Sequence, residues 1–293
     1  GDVYKRQKTD DPRGVLTLVK THDGASYLHA QDAYWRVYDF VEGTICLQLP
    51  ETDEDFYQSA VGFGTFQQLL TDFPAAKLHE TIPNFHNTPD RYRALLETLE
   101  RDPMHRAAQV QPEIEFALAR QAEMSAIQNA LTAGELPLRV THNDTKINNI
   151  LFDRQGRVLC VIDLDTVLRS PCFNDFGDAI RTYANHGRED DENLDDVWLD
   201  MTMFRGFAEG YLSEARAFLT PAETDALAFS VRYITYEQVL RFLMDYLDGD
   251  TYYKIKSPDH NLVRTRAQYA LLRSAEERYD AMRAIVAELA ARP

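Results

Sequence analysis

The sequence predicts an α+β fold, with a short β-rich beginning followed by a mainly helical body. Three observations carry that expectation. Residues 14–43 are strand-like in pattern, and residues beyond about 54 carry apolar side chains at helical spacing. A small patch of short apolar strands then interrupts the helical part near residues 138–165.

At the start, GVLTLVK (14–20) and ASYLHAQ (25–31) read as strands flanking the turn signal His22-Asp23-Gly24, and YWRVYDFVEG (34–43) reads as a third β-rich run. The chain changes character between residues 42 and 52, which divides it into a partial amino-terminal lobe, 1–43, and a helical lobe, 44–293. A helix is expected over 54–73, punctuated by Pro74 and Pro83. Thr88 and Pro89 supply an N-cap and a first-turn proline for the next helix. A long helix is expected over Gln111–Ala133, ending at Gly134. Strands LRVTH, NILFD and VLCVIDLD follow, the last two joined by the turn DRQG. From Asn174 onward the pattern is almost wholly helical, including a run over 261–291. The opening GDVYKRQ resembles translated adapter read-through, so Gly1–Gln7 are set aside. That reading implies a shortened amino terminus and loss of the first strands of the β-rich segment.

Composition narrows the function. The 293 residues are 44% hydrophobic and 27% charged, as in ordinary globular proteins. No stretch approaches the roughly 18–20 apolar residues that span a bilayer. A formal net charge of -16 repels phosphate backbones, so nucleic acid and anionic membranes are poor partners. Cys46, Cys160 and Cys172 have no metal spacing and read as reduced thiols of a cytoplasmic protein.

The chemistry concentrates in Thr141–Asp165, THNDTKINNILFDRQGRVLCVIDLD. His142, Asp144 and Asn149 fit the spacing H-x-D-x-x-x-x-N of a phosphotransfer loop. Such a loop needs a carboxylate for the attacking hydroxyl, oxygen ligands for Mg²⁺ and positive charge near the transferring group. Asp144 is the candidate base, Asn149 and Asp163 the candidate metal ligands, and Lys146 a cation within reach of the γ-phosphate. Asp163 and Asp165 interrupt an apolar strand, where an unpartnered charge is costly, and a period of two puts both on one face. The closest glycine cluster, VGFGTF (61–66), lies in a helical context and is a poor phosphate loop.

The run HNDTKINNILFD…CVIDLDTV…NDFGDAIR resembles the aminoglycoside phosphotransferase and choline kinase superfamily. Asn143 and Lys146 depart from its usual H-G-D-x-H-x-x-N. With DFPAAKLHETIPNFHNTPDRY, RYITYEQVLRFLMDYLDGDTYYK and HNLVRTRAQ, they bring the chain closer to the bacterial N-acetylhexosamine 1-kinases. The resemblance covers residues 34–268. It implies a protein-kinase-like two-lobe fold, ATP and Mg²⁺ as cofactors, and transfer of the γ-phosphate to the anomeric hydroxyl of an N-acetylhexosamine. Adenine is then expected against Tyr38, Phe40 and Val41, and the sugar near Asp165, Arg264 and Arg266. Asp175 and Asp178 read equally as helix-start acids. Tyr236, Glu237, Arg241 and Asp245 read as a salt-bridge ladder, and His86 as a surface residue. The alternatives are an aminoglycoside, choline or homoserine kinase, and a non-catalytic binding relative or inactive fragment.

Overall fold

The computed structural model describes residues 11–292. Gly1–Gln7 lie outside them. The β-rich beginning holds four short strands, β1 (Leu18–Val19), β2 (Leu28–Ala30), β3 (Ala33–Trp35) and β4 (Val37–Tyr38). They form two separate antiparallel pairs, β1 with β4 and β2 with β3. The turn at His22-Asp23-Gly24 exists, closed by a 2.9 Å bond from Gly24 N to Thr21 O. It does not join a hairpin, because β1 and β2 pair elsewhere. The hairpin is β2–β3, whose two-residue loop puts Gln31 and Asp32 at φ 53° and 55°. Positive φ at both central residues matches the right-handed strand twist, and aspartate tolerates it where glycine is absent.

Beyond the strands, helix α1 (Asp53–Leu69) starts at a reciprocal cap between Thr52 and Asp55. It stops short of the expected residue 73; a single 3₁₀ turn, Ala75–Lys77, follows Pro74. Gly62 and Gly64 sit inside this helix. A Cβ on Gly62 would lie 2.8 Å from Val158 Cγ2, and one on Gly64 2.9 Å from Glu214 Cβ. The glycine cluster therefore serves close packing and is no phosphate loop. Helix α2 (Thr88–Arg101) is capped by Asn87, one residue before the expected Thr88, with Asn87 Oδ1 accepting from Asp90 N at 3.1 Å. The long helix expected over 111–133 is two, α3 (Gln111–Met124) and α4 (Ala126–Thr132). They part at Ser125, whose hydroxyl bonds back to Gln121 O at 2.9 Å, a habit that bends helices.

The central patch consists of β5 (Arg139–Thr141), β6 (Ile150–Phe152), β7 (Val158–Val161) and β8 (Leu168–Ser170). Strand β5 pairs with β8 and β6 with β7, both antiparallel. An isolated bridge between Ile45 and Phe152 ties the chain just after its β-rich beginning to this patch. Then follow α5 (Phe173–Tyr183), α6 (Met201–Ala215), α7 (Pro221–Leu247), α8 (His260–Glu277) and α9 (Tyr279–Ala290). The helical run expected over 261–291 breaks at Arg278, whose φ of -102° and ψ of 6° leave the helix. Helix α7 is the axis of the body, with Val231, Tyr233, Tyr236, Val239, Leu240 and Leu243 all buried. Among the described residues no helix is long and apolar enough to cross a membrane.

Candidate active site

The segment between β5 and β6 is held by its neighbours as much as by itself. His142 is buried, with the rings of Phe63 and Phe66 edge-on at 5.5 and 5.6 Å. Its Nε2 donates to Ile162 O at 2.9 Å. Ile162 N in turn donates to Asn149 O at 2.8 Å. Those two bonds fasten the loop to the residue before Asp163. Asn143 takes a left-handed φ of 62° and donates its amide to Thr166 O at 3.0 Å.

Asp144 leaves the loop beside two partners. Lys146 Nζ lies 2.9 Å from Asp144 Oδ1. Asn149 Nδ2 donates to Asp144 Oδ2 at 3.2 Å and to its carbonyl at 2.9 Å. Burial pushes the Lys146 amine down, but the Asp144 carboxylate outweighs it and holds the amine above its ordinary value. It therefore stays a cation at neutral pH. With Nδ2 spent on Asp144, Oδ1 is the side-chain atom of Asn149 with the chemistry of a ligand.

Asp163 follows β7, and the strand reading of its surroundings needs correcting. The strand ends at Val161; Asp163 adopts φ 55°, and Asp165 lies in a 3₁₀ turn, Leu164–Thr166. The two acids thus do not share a strand face, and both are exposed rather than buried. Asp165 is taken by Arg36 of the β-rich beginning. An amide oxygen and a carboxylate are hard donors that suit Mg²⁺, which takes few protein ligands and completes its shell with water and phosphate.

Beneath the loop, α5 supplies two carboxylates that act on its backbone. Asp175 accepts from His142 N at 2.9 Å, Asn143 N at 2.7 Å and Gln67 Nε2 at 2.7 Å. Burial pushes its carboxyl above the ordinary value, against the pull of His142 and these donors. Asp178 accepts from Thr145 N at 3.1 Å and pairs with Arg181 at 3.1 Å. Burial works against its charge, but Arg181 and the Thr145 amide win and lower its pKa. Tyr183, its hydroxyl pushed up to about 12 by burial, accepts from Ile147 N at 2.8 Å. Capping their own helix is not what these acids do. Two acids three residues apart at a helix start, just beyond a polar loop, are the sequence signal for this role; Tyr183 and Gln67 carry none.

The next layer is also polar. Arg181 pairs with Glu189 at 3.0 Å and reaches Gln268 on α8 at 3.4 Å. His86 is no surface residue: its side chain is 10% exposed, and its Nδ1 lies 3.2 Å from Glu237 on α7. Tyr236, Glu237, Arg241 and Asp245 form no ladder, because each meets a different partner. Tyr236 donates to Ala117 O, and Asp245 accepts from the amides of Tyr252 and Tyr253. Arg241 lies over the rings of Phe85, Tyr252 and Tyr253. Arg266 pairs with Glu113 on α3 at 2.6 Å, whereas Arg264 rests against Phe242 and Tyr253. In the β-rich beginning, Tyr38 pairs with Leu18, Phe40 is 86% exposed, and Val41 O accepts from Thr44 Oγ1.

A cavity of about 460 Å³ opens between the 76–87 loop, α4 and β8. Leu78, Ile82 and Leu131 give it an apolar side, and Asn84, His86 and Ser170 a polar one. Asn143 also lines it, which brings the wall within one residue of Asp144, although Asp144 itself is outside the wall.

The chain as a whole has counterparts elsewhere. A model of the phosphotransferase enzyme family, APH, matches residues 11–219. The chain belongs to that family. Its structure is similar to an aminoglycoside phosphotransferase from Alicyclobacillus acidocaldarius subsp. acidocaldarius DSM 446. The TM-score is 0.61 at 15% identity, over 98% of this chain and 80% of that one. It is also similar to a microcompartment-associated aminopropanol kinase, with a TM-score of 0.54 at 15% identity, over 96% of this chain and 80% of that one. Identity that low speaks for the fold alone. This APH phosphotransferase accordingly has the kinase-like two-lobe fold, β-rich at its start and helical through its body.

Proposed function

We propose that this phosphotransferase moves the γ-phosphate of ATP to the anomeric hydroxyl of an N-acetylhexosamine, giving the sugar 1-phosphate. The chemistry rests on Asp144. It orients the acceptor hydroxyl and takes its proton as the new P–O bond forms and the bond to ADP breaks. Lys146 brings positive charge beside that carboxylate, where charge accumulates on the transferring group. Asn149 and Asp163 would hold Mg²⁺, which supplies charge neutralisation of the nucleotide phosphates. Tyr38, Phe40 and Val41 are the proposed adenine contacts, and Arg264 a proposed sugar-side group. Asp165 and Arg266, each in an ion pair, are the weaker sugar contacts.

One observation favours a neutral sugar over a cationic acceptor: most acids around the loop already have partners. Asp178 and Glu189 share Arg181, Asp144 has Lys146, Asp175 is taken up by backbone amides and Gln67, and Glu237 accepts from the His86 ring. An aminoglycoside or choline needs uncompensated carboxylates or an open aromatic cage. The cavity wall holds one carboxylate, Glu80, whose Oε1 accepts from Asn84 N at 3.2 Å.

The test is ADP release from ATP-Mg²⁺ with N-acetylglucosamine, N-acetylgalactosamine, choline and kanamycin in parallel. Turnover with the sugars, and a phosphorus signal coupled to the anomeric proton of the product, is the expected result. Turnover confined to choline or kanamycin would sink the sugar assignment while leaving the phosphotransfer chemistry in place.

A further inference from the structure

The 76–87 loop is pinned to the helical body at its far end. Tyr233 OH donates to His86 O at 3.0 Å, and Arg91 Nη2 donates to Phe85 O at 3.2 Å. The imidazole of His86 is fixed as well. A carboxylate can only accept, so the 3.2 Å contact with Glu237 puts the ring proton on Nδ1. Glu237 is 2% exposed, so this bond is made out of water. In the neutral ring, Nε2 is then a lone-pair acceptor.

That Nε2 is buried with no hydrogen-bond partner. Leaving a buried polar atom unpaired is costly, so such atoms call for a reason. His86 lines the 460 Å³ cavity, where Asn84 and Ser170 add further polar groups opposite an apolar side. It also lies near Asp178, which holds the amide next to Asp144. The orphan nitrogen therefore stands between the cavity and the catalytic loop.

We propose that His86 is an acceptor-recognition residue, its Nε2 accepting a hydrogen bond from a hydroxyl of a neutral, polyhydroxylated acceptor seated in this cavity. Glu237 sets the tautomer that makes Nε2 an acceptor. The ligand class follows from the wall: hydroxyls meet the imidazole and amides, and a ring face or acyl methyl meets Leu78, Ile82 and Leu131. Loading needs a small adjustment of the loop to uncover the nitrogen. The inference rests on the phosphotransferase reading of Asp144 and adds the group that reads the acceptor.

Two substitutions separate this role from a purely structural one. In His86→Asn the amide reaches where Nδ1 stood and keeps Glu237, but nothing reaches the Nε2 position. In His86→Gln the amide reaches where Nε2 stood and gives up Glu237. Kinetics are measured with whichever alcohol the wild-type enzyme phosphorylates best, so the ratio can be read even if the sugar assignment fails. The expected result is an acceptor KM raised about tenfold or more in His86→Asn, with the KM for ATP and the melting temperature unchanged. His86→Gln should lie closer to wild type in acceptor KM. Wild-type acceptor kinetics in His86→Asn would overturn the proposal. So would equal losses in both variants accompanied by a lower melting temperature, which would make His86 only the partner of Glu237.

Discussion

Helix α7 buries large side chains on every face, whereas strands β2 to β4 leave Tyr34 72% exposed and Trp35 and Val37 more than half exposed. Both stretches are rich in apolar residues, so composition alone does not decide where the core lies. The helix has α2, α3, α5, α8 and α9 around it, and each turn meets a neighbour. The strands are two or three residues long and lie in pairs, too small to bury either face. The difference teaches that the body carries the fold and holds the catalytic loop from below. The beginning meets the loop region through few ties, among them the Ile45–Phe152 bridge and the Arg36–Asp165 ion pair.

The sharpest way to break this comparison is to remove equivalent bulk from each region. Phe176 is fully buried against Phe204, Phe207 and Tyr211, with ring centroids 5.5–5.8 Å away. Phe176→Ala should cost about 3–5 kcal/mol in denaturant melts, while Tyr34→Ala should stay within about 0.5 kcal/mol. Comparable losses would mean that the beginning contributes to the core after all. Asp175→Asn keeps the shape of the anchor but replaces one accepting oxygen with a donor that faces backbone N–H groups. It should lower kcat about tenfold or more, with a smaller loss of melting temperature than Phe176→Ala. A variant with full kcat would show that the loop positions itself.

A finer contrast is one of pH. The Asp190 carboxyl is held at about 2, below its ordinary 3.8, by hydrogen bonds from Lys256 and His260. Because the folded value is the lower one, this contribution is whole above about pH 4 and is lost as pH falls toward the folded value. Asp190→Asn should therefore lower the melting temperature at pH 7 while converging with wild type at the acid end. Parallel curves at all pH values would contradict it. Smallest of all is Arg36→Ala. The pair it makes with Asp165 is exposed on both sides, so its loss should cost less than about 1 kcal/mol. It should shift the KM for ATP more than that for the acceptor.

The parts of this molecule legible in its sequence are those governed by local rules. Thr52 and Asp55 announce a helix, Asp153 and Gly156 a turn, and His142, Asp144 and Asn149 a phosphotransfer loop, because each signal lies within a few residues. What local rules miss is pairing across the chain. The turn at Gly24 is real, yet its strands find partners elsewhere, since short strands take whatever register the surrounding structure offers. Asp165 reads as a site acid, but nothing local announces its ion pair with Arg36, 129 positions away in sequence. His86 reads as a surface histidine until Glu237, 151 positions away, seals it in. Asp175 and Asp178 read ambiguously for a related reason: what they hold in the loop is backbone amides, which carry no side-chain signature.

Asp144, held by Lys146 and Asn149, is the group proposed to activate the acceptor. The most direct measurement is acceptor-dependent ADP release by Asp144→Asn beside the wild-type enzyme, with nucleotide binding followed in parallel. The account predicts a fall in kcat of about 10²–10⁴, with nucleotide affinity and melting temperature close to wild type. Retention of kcat in a folded Asp144→Asn enzyme would contradict it and move the proton acceptor elsewhere.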